Sequence, residues 1–215
     1  MGRIEEICRL IDPCKTFADV GCDHGYCTQK VITDGKCSRA IISDISKKSL
    51  AKAEKLLAPY IGSGVVSSIC CDGLEKIPQD TEQVLIAGMG GEEIIKILKG
   101  GFIPEKFVLQ PMKNAEKVRA FLLESGCVLT VDDIFFDGNY YFVIKGEKDG
   151  GNSDGAQDYS QAEITFGRDS LKNPLFKQFA IEELKKKKSY IRNCVEGSDC
   201  EKIKKYISVL EGVVL

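Results

Sequence analysis

Two rhythms of apolar and polar residues alternate through the first two-thirds of the chain. Short apolar runs lie at 16–21 (TFADVG), 39–44 (RAIISD), 65–71 (VVSSICC), 83–87 (QVLIA) and 107–109. Their length and β-branched content predict strands. Stretches of helical period separate them. Residues 46–59 place Leu50, Ala53, Leu56 and Leu57 at helical spacing, 92–98 predict a short helix, and 115–124 predict another that Gly126 closes. Two further strand-like runs, 127–136 and 140–145, flank Asp137-Gly138-Asn139, a triplet that predicts a hairpin turn. Strand–helix alternation ending in a hairpin predicts a doubly wound α/β fold with a seven-stranded, mostly parallel sheet and an antiparallel edge.

The pattern changes at 146–159 (GEKDGGNSDGAQDY), a polar segment rich in Gly, Asp and Asn that predicts a linker or a mobile loop. Beyond it, 175–193 and 201–210 have helical character, broken by Glu196-Gly197-Ser198-Asp199. They predict an antiparallel helical hairpin, packed on the sheet domain or projecting from it. The expected organisation is two units, 1–148 and 149–215.

Composition narrows the class without changing this picture. A chain of 215 residues buries a sufficient core without disulfides. The hydrophobic fraction of 43% and charged fraction of 29% are those of an ordinary globular protein. A net charge of −2 and a pI near 5.7 exclude a uniformly basic nucleic-acid coat and still allow a local basic patch. The ten cysteines form no CxxC pair and the chain has one histidine, so free thiols in a reducing compartment are expected rather than a zinc site. No signal-peptide pattern opens the chain, and no apolar run is long enough to cross a bilayer. The expectation is a cytoplasmic protein with no membrane partner and no metal.

Ligands of open α/β sheets bind beyond the carboxyl ends of the strands. Here Asp19-Val20-Gly21-Cys22-Asp23-His24-Gly25 closes the first strand, and Asp44-Ile45 follows the second. Asp72-Gly73 follows the third, Gly88-Met89-Gly90-Gly91 the fourth as an expected loop, and Gln110-Pro111 the fifth. This set suits a nucleoside with a charged amino-acid tail. Gly21 lets backbone approach the ligand. Asp44 suits both ribose hydroxyls and Asp72 an adenine amine. Asp19 and Asp23 suit a cationic amino group, directly or through water. A dinucleotide fold places the same acid on its ribose but needs G-x-G-x-x-G to admit a pyrophosphate. Asp23 stands where that phosphate would come, so charge favours the sulfonium of S-adenosyl-L-methionine over NAD. His24 is either a structural or a functional histidine, and Tyr26 either stacks on a ligand or packs as core. The candidate cofactor contacts are Asp19, Gly21, Cys22, Tyr26, Asp44, Ile45, Asp72, Gly73, Ala87 and Gly88. The candidate catalytic residues are Asp23, His24, Met89, Gly90 and Gln110.

These motifs resemble those of the TrmK family of bacterial tRNA methyltransferases, whose pattern is D-I-G-S-D-H-A-Y, G-D-G-L, I-A-G-M-G-G and L-Q-P-N. The chain has DVGCDHGY at 19–26, CDGL at 71–74, IAGMGG at 86–91 and LQPM at 109–112. The likeness continues through EITFG at 163–167 and NPLF at 173–176. Cys22, Gly25 and Cys71 replace Ser, Ala and Gly of the pattern, and Met112 replaces its Asn, with Asn114 two residues on. The resemblance implies a class I methyltransferase Rossmann-like sheet, a C-terminal hairpin of coiled-coil type, S-adenosyl-L-methionine as cofactor and methylation of N1 of adenine 22 in tRNA. On that reading residues 88–91 and Gln110 position the base, with Asp23 and His24 as electrostatic support. RNA also needs local positive charge. Lys185, Lys186, Lys187, Lys188, Arg192, Lys202, Lys204 and Lys205 supply it on the C-terminal helices, and Lys113, Lys117 and Arg119 near the fifth strand end. Two other classes stay open: a methyltransferase acting on another RNA, a small molecule or a protein, and a non-catalytic cofactor-binding protein that interacts through its hairpin. The sequence sets no oligomeric state, with a monomer among the options.

Overall fold

Successive residues of the apolar runs face opposite ways, and that alternation builds two cores on the two sides of one sheet. Phe17, Ala40, Ile42, Leu85 and Val108 join Leu50, Ala53 and Leu57 on one side. Ala18, Val20, Val84, Ile86, Phe107 and Leu109 join Ile94, Ile97, Val118 and Leu122 on the other. The computed structural model describes residues 2–149, 158–192 and 198–214. Its elements are α1 (Arg3–Arg9), β1 (Cys14–Val20), α2 (Tyr26–Thr33), β2 (Cys37–Asp44), α3 (Lys47–Gly62), β3 (Val66–Cys70), β4 (Gln83–Gly90) and α4 (Gly91–Gly100). They continue with β5 (Lys106–Lys113), α5 (Ala115–Glu124), β6 (Cys127–Phe136) and β7 (Tyr140–Lys148). After these come α6 (Gln161–Phe166), a single 3₁₀ turn at Ser170–Lys172, α7 (Pro174–Arg192) and α8 (Ser198–Val214).

The sheet order is β3-β2-β1-β4-β5-β7-β6. Every pairing is parallel except the two made by β7, so the hairpin forms the antiparallel edge that the pattern predicts. The chain winds outward from β1 to β3, then returns to pair β4 with β1. That reversal opens a crevice at the carboxyl ends of β1 and β4.

Four elements run further than the apolar periodicity. β4 and β5 continue through the glycine and Gln-Pro segments, and β7 continues to Lys148 into the segment expected to be linker. Gly146 permits that last extension, because a Cβ there would come within 2.6 Å of the Val128 carbonyl and 2.7 Å of the Phe107 ring. Most of the remaining expected linker, 150–157, lies outside the described residues. α3 passes Pro59 to end at Gly62. α1 and α6 are too short to show a helical period.

A third core holds the C-terminal helices on the sheet edge. Ile134 of β6 meets Phe166, Phe176, Phe179, Ala180 and Leu210. Buried positions of α7 end at Ala180, so only the base of the hairpin is docked and its lysine-bearing half stands free of the core.

One buried ion pair ties α5, β6 and α6 together. Arg119 and Asp132 have side-chain exposures of 0% and 1%. Arg119 Nε donates to both carboxylate oxygens at 2.7 and 2.9 Å, and Nη1 donates to the carbonyls of Ile164 and Thr165. The guanidinium also lies 5.1 Å from the Phe142 ring centre. Arg119 was expected on a basic surface; its place in the core is a correction. Removing one partner strands a buried charge. Arg119→Ala should therefore lower the unfolding free energy by about 3–5 kcal/mol in urea titrations, and Arg119→Ala/Asp132→Ala should recover part of it. A single-variant loss below about 1 kcal/mol would contradict a uniquely paired core charge.

Candidate active site

The turn after β1 is left-handed at three residues. Gly21, Asp23 and Gly25 have φ of +73°, +43° and +77°. The Ser43 carbonyl accepts from the N–H groups of Gly21 at 2.8 Å and Cys22 at 3.0 Å, which ties the turn to the end of β2. A Cβ at Gly25 would come within 3.0 Å of both Ala53 and Leu57, so glycine lets α2 start against α3.

Carboxylates at the strand ends are held by neutral donors. Asp44 Oδ1 accepts from the Ser46 N–H at 2.8 Å and Oδ2 from the Asp23 N–H at 3.3 Å. Both oxygens keep a lone pair for a ligand. Asp19 is buried, and its Oδ2 accepts from the Thr28 hydroxyl at 2.8 Å. Burial pushes its carboxyl up to about 6, against the pull of the Thr28 hydrogen bonds.

Asp23 and His24 form a small polar cluster at the rim. Lys52 Nζ lies 3.5 Å from Asp23 Oδ1 and 3.4 Å from His24 Nε2. His24 stacks on Tyr26 with ring centres 5.5 Å apart and planes 9° from parallel. Tyr26 is half exposed, so it is a surface ring rather than core. Lys52 and Thr28 were not anticipated from sequence: both lie on helix faces with no motif to mark them. Burial and the neighbouring Asp19 and Asp44 charges push the Cys22 thiol well up, which leaves it a neutral apolar wall and not a nucleophile.

Residues 88–90 are not a loop, as expected from their glycines, but the bulged end of β4. Ala87 pairs with Gln110, Met89 with Pro111 and Gly90 with Lys113, with a register shift at each step. Gly88 takes φ +78° at this bulge. The bulge also accommodates Pro111, which cannot donate to a regular ladder. Gly90 is the N-cap of α4. A Cβ at Gly91 would meet the Lys113 carbonyl at 2.8 Å, so this glycine serves close packing.

Two compartments share Gly21 and Met89. The larger, about 430 Å³, is lined by Asp19, Gly21, Cys22, Asp23, His24, Tyr26, Ala87, Gly88, Met89 and Gln110, together with Arg3, Ile4, Ile7 and Cys27. The smaller, about 90 Å³, gathers Asp44, Ile45, Asp72, Gly73 and Glu93. A Cβ at Gly21 would overlap Met89 Cε, so the thioether lies across Gly21 between the two. The expected site residues thus converge, except Gly90, which lines neither compartment.

Gln110 is wholly buried. Its Nε2 donates to the Pro111 carbonyl at 3.1 Å and to Met112 Sδ at 3.7 Å, while Oε1 has no donor among the described residues. Arg3 was missed from sequence, because nothing in a seven-residue helix marks it. Its N–H donates to Asp137 Oδ2 at 2.8 Å, its Nη1 reaches Met112 Sδ at 3.9 Å, and its guanidinium lies 5.5 Å from the Tyr141 ring centre. No carboxylate among the described residues pairs with that guanidinium. Of the cations expected near β5, Lys113 is exposed and Lys117 is paired with Glu92.

The raised pKa of Asp19 has a stability consequence. Its folded value, about 6, exceeds the ordinary 3.8, so the fold holds the proton more tightly. Stability from this group is full below about pH 4 and declines as pH rises to about 6. Asp19→Asn should flatten that decline, which amounts to at most about 3 kcal/mol, in urea unfolding measured from pH 4 to 7. Equal slopes in the two proteins would refute the assignment.

Residues 1–144 match the family model described as a methyltransferase domain. The chain is 30% identical over 146 residues to a Mycoplasma pneumoniae protein assigned as a tRNA methyltransferase, covering 66% of this chain and 68% of that one. It is 28% identical to the tRNA (adenine(22)-N(1))-methyltransferase of Bacillus subtilis, covering 97% of this chain and 91% of the relative. In fold it is similar to TrmK of M. capricolum, solved with S-adenosyl-homocysteine, with a TM-score of 0.86 at 22% identity, covering 99% and 96% of the two chains. The paired compartments lie within the matched segment, and the chain belongs to the methyltransferase-domain family, in its TrmK branch.

Proposed function

We propose that the chain transfers the methyl group of S-adenosyl-L-methionine to N1 of adenine 22 in tRNA. The observation that carries this reading is the pair of compartments joined at Gly21 and Met89. The smaller presents nucleoside-binding chemistry; the larger presents acidic groups and a buried amide acceptor. The name of the full-length Bacillus subtilis relative supports the same acceptor.

The residues fit that cofactor. Asp44 has two oriented oxygens for a ribose diol, Asp72 offers an acceptor to an adenine amine, and Ile45, 67% exposed, offers an apolar face to the ring. Met89 and Ile97 fill the space beside Gly21 and Gly73, so these glycines would offer the ligand backbone atoms only, with Cys22, Ala87 and Gly88 as neutral walls. Asp19 would hold a cationic amino group. When bound, the cofactor supplies a methyl group on a sulfonium and leaves as a neutral thioether.

Adenine N1 carries a free lone pair, so no base is required before attack. The protein must hold the ring in line, exclude water and stabilise the positive charge that develops. Gly88 and Met89 shape the wall against the base, and the Asp23 carboxylate on the same cleft opposes the new charge, oriented by Lys52 and His24. N1 lies on the Watson–Crick edge, so the nucleotide must be unpaired or extruded. The parallel His24–Tyr26 rings offer it a stacking surface at the mouth. Arg3, with no carboxylate partner among the described residues, suits its phosphate at the same mouth. A tRNA substrate is in keeping with a cytoplasmic location.

The test is transfer of radiolabel from S-adenosyl-L-methionine to unmodified tRNA transcripts with adenine or guanine at position 22. Label should enter only the adenine transcript and be recovered as 1-methyladenosine. Asp44→Asn should weaken cofactor binding about 10- to 100-fold with the fold intact. Cofactor binding by the wild-type protein with no label in either transcript would sink the reading.

The RNA-binding surface is testable by charge. Lys185, Lys186, Arg192, Lys204 and Lys205 are exposed and carry no ion pair among the described residues, whereas Lys187 pairs with Glu183 and Lys188 with Glu211. Reversing Lys185, Lys186, Lys204 and Lys205 to Glu should weaken tRNA binding at least about tenfold and lower the salt slope by about two to four. Cofactor affinity should not move. An unaltered slope would remove the hairpin from the interface.

A further inference from the structure

Gln110 is buried on β5, two residues before the strand emerges at Met112. We propose that Gln110 Oε1 receives the exocyclic amine of the target base, and that this acceptor makes the site select a 6-aminopurine over a 6-oxopurine. The inference rests on the adenine-N1 reading above and adds to it the group that recognises the ring.

The orientation of the amide follows from its neighbours. The Pro111 carbonyl and Met112 Sδ are both acceptors, and Nε2 donates to both. Turning the amide over would set Oε1 against two acceptors and leave both N–H groups without partners. Both N–H groups are therefore spent inside the protein, and Oε1 is the free end. That oxygen is buried and has no donor among the described residues. A buried carbonyl without a donor is costly, and Gln110 lines the larger compartment beside Met89, Gly88 and Asp19. A ligand N–H satisfies it.

The chemistry of the ring identifies the donor. In adenine the atom next to N1 bears an amine, which donates. In guanine the same position bears a carbonyl, which would repel Oε1, and N1 itself carries hydrogen. When N1 takes the methyl group, positive charge spreads onto the amine and strengthens its bond to Oε1. The interaction therefore grows toward the transition state, so it favours turnover and not only binding.

The test compares two tRNAs that differ at the target by one group, adenosine or purine riboside, which lacks the amine. Purine N1 is the weaker nucleophile, so each enzyme will slow on it; the comparison of wild type with Gln110→Met cancels that intrinsic term. Methionine keeps length and apolar burial and removes the acceptor. The preference for adenosine in kcat/KM should be about 10- to 100-fold greater in the wild type, with most of the difference in kcat. Gln110→Leu, which also removes the acceptor, covers the case in which the Met variant fails to fold, and Gln110→Glu, which keeps an acceptor, should retain part of the preference. Equal preferences in wild type and a folded variant that lacks the acceptor would overturn the assignment of Gln110 alone. Failure of the wild-type chain to methylate adenosine at all would overturn the functional reading, and this inference with it.

Discussion

The carbonyl oxygen of Ser43 accepts hydrogen bonds from both Gly21 and Cys22, and the layout of the cleft follows from that double contact. It closes the β1–α2 turn against β2, where a backbone donor of the turn reaches the strand-end acid. The Asp23 N–H then orients Asp44, and Gly25 seats α2 on α3. The left-handed residues are forced by this geometry. Two of the three are glycine, where such a backbone is inexpensive. The third, Asp23, belongs to a residue type that tolerates the region better than most.

The Arg119–Asp132 pair plays the corresponding part at the other end of the molecule. Buried ion pairs contribute little net stability, because desolvation offsets most of the attraction. Their effect is on uniqueness. Asp132 also accepts from the Arg168 N–H, its own N–H donates to Asp169, and its carbonyl accepts from Asp169 and Ser170. One aspartate on β6 thus fixes where the chain re-enters after α6, and with it the base of the hairpin. The free lysines of α7 and α8 are held at a defined place relative to the cleft by a contact that touches neither.

Strand ends were legible because buried parallel strands are short, apolar and punctuated, so the residue after each apolar run is the one at the ligand crevice. The bulge of β4 was not. A Gly-Met-Gly-Gly segment has the composition of a loop, and only pairing with β5 across a shifted register keeps it in the sheet. Arg119 was misassigned for a different reason. An arginine on a short amphipathic helix has the look of a surface residue unless its partner is known. The partner was concealed by the register shift between Leu129 and Val131 in β6, which changes the inward phase so that Asp132 faces the core in place of Val131. An acid on the inward phase of a strand calls for a buried cation, but the phase itself depends on that slip. Arg3 had no pattern at all: its position comes from tertiary contacts with Asp137, Met112 and Tyr141, all more than a hundred residues away in sequence.

Met112 is the motif position where the family pattern has an amide, and the geometry shows where the change acts. Its sulfur receives both the Gln110 amide and the Arg3 guanidinium. An asparagine there would bring an oxygen acceptor and also a competing donor. A thioether brings only a weak, polarisable acceptor. Both neighbouring donors can point at it without rivalry, so the amide of Gln110 keeps its nitrogen inward and its oxygen free. The substitution therefore alters how firmly the two flanking groups are anchored. In this chain both donors are held by the Met112 sulfur, and Gln110 Oε1 is left without a donor among the described residues.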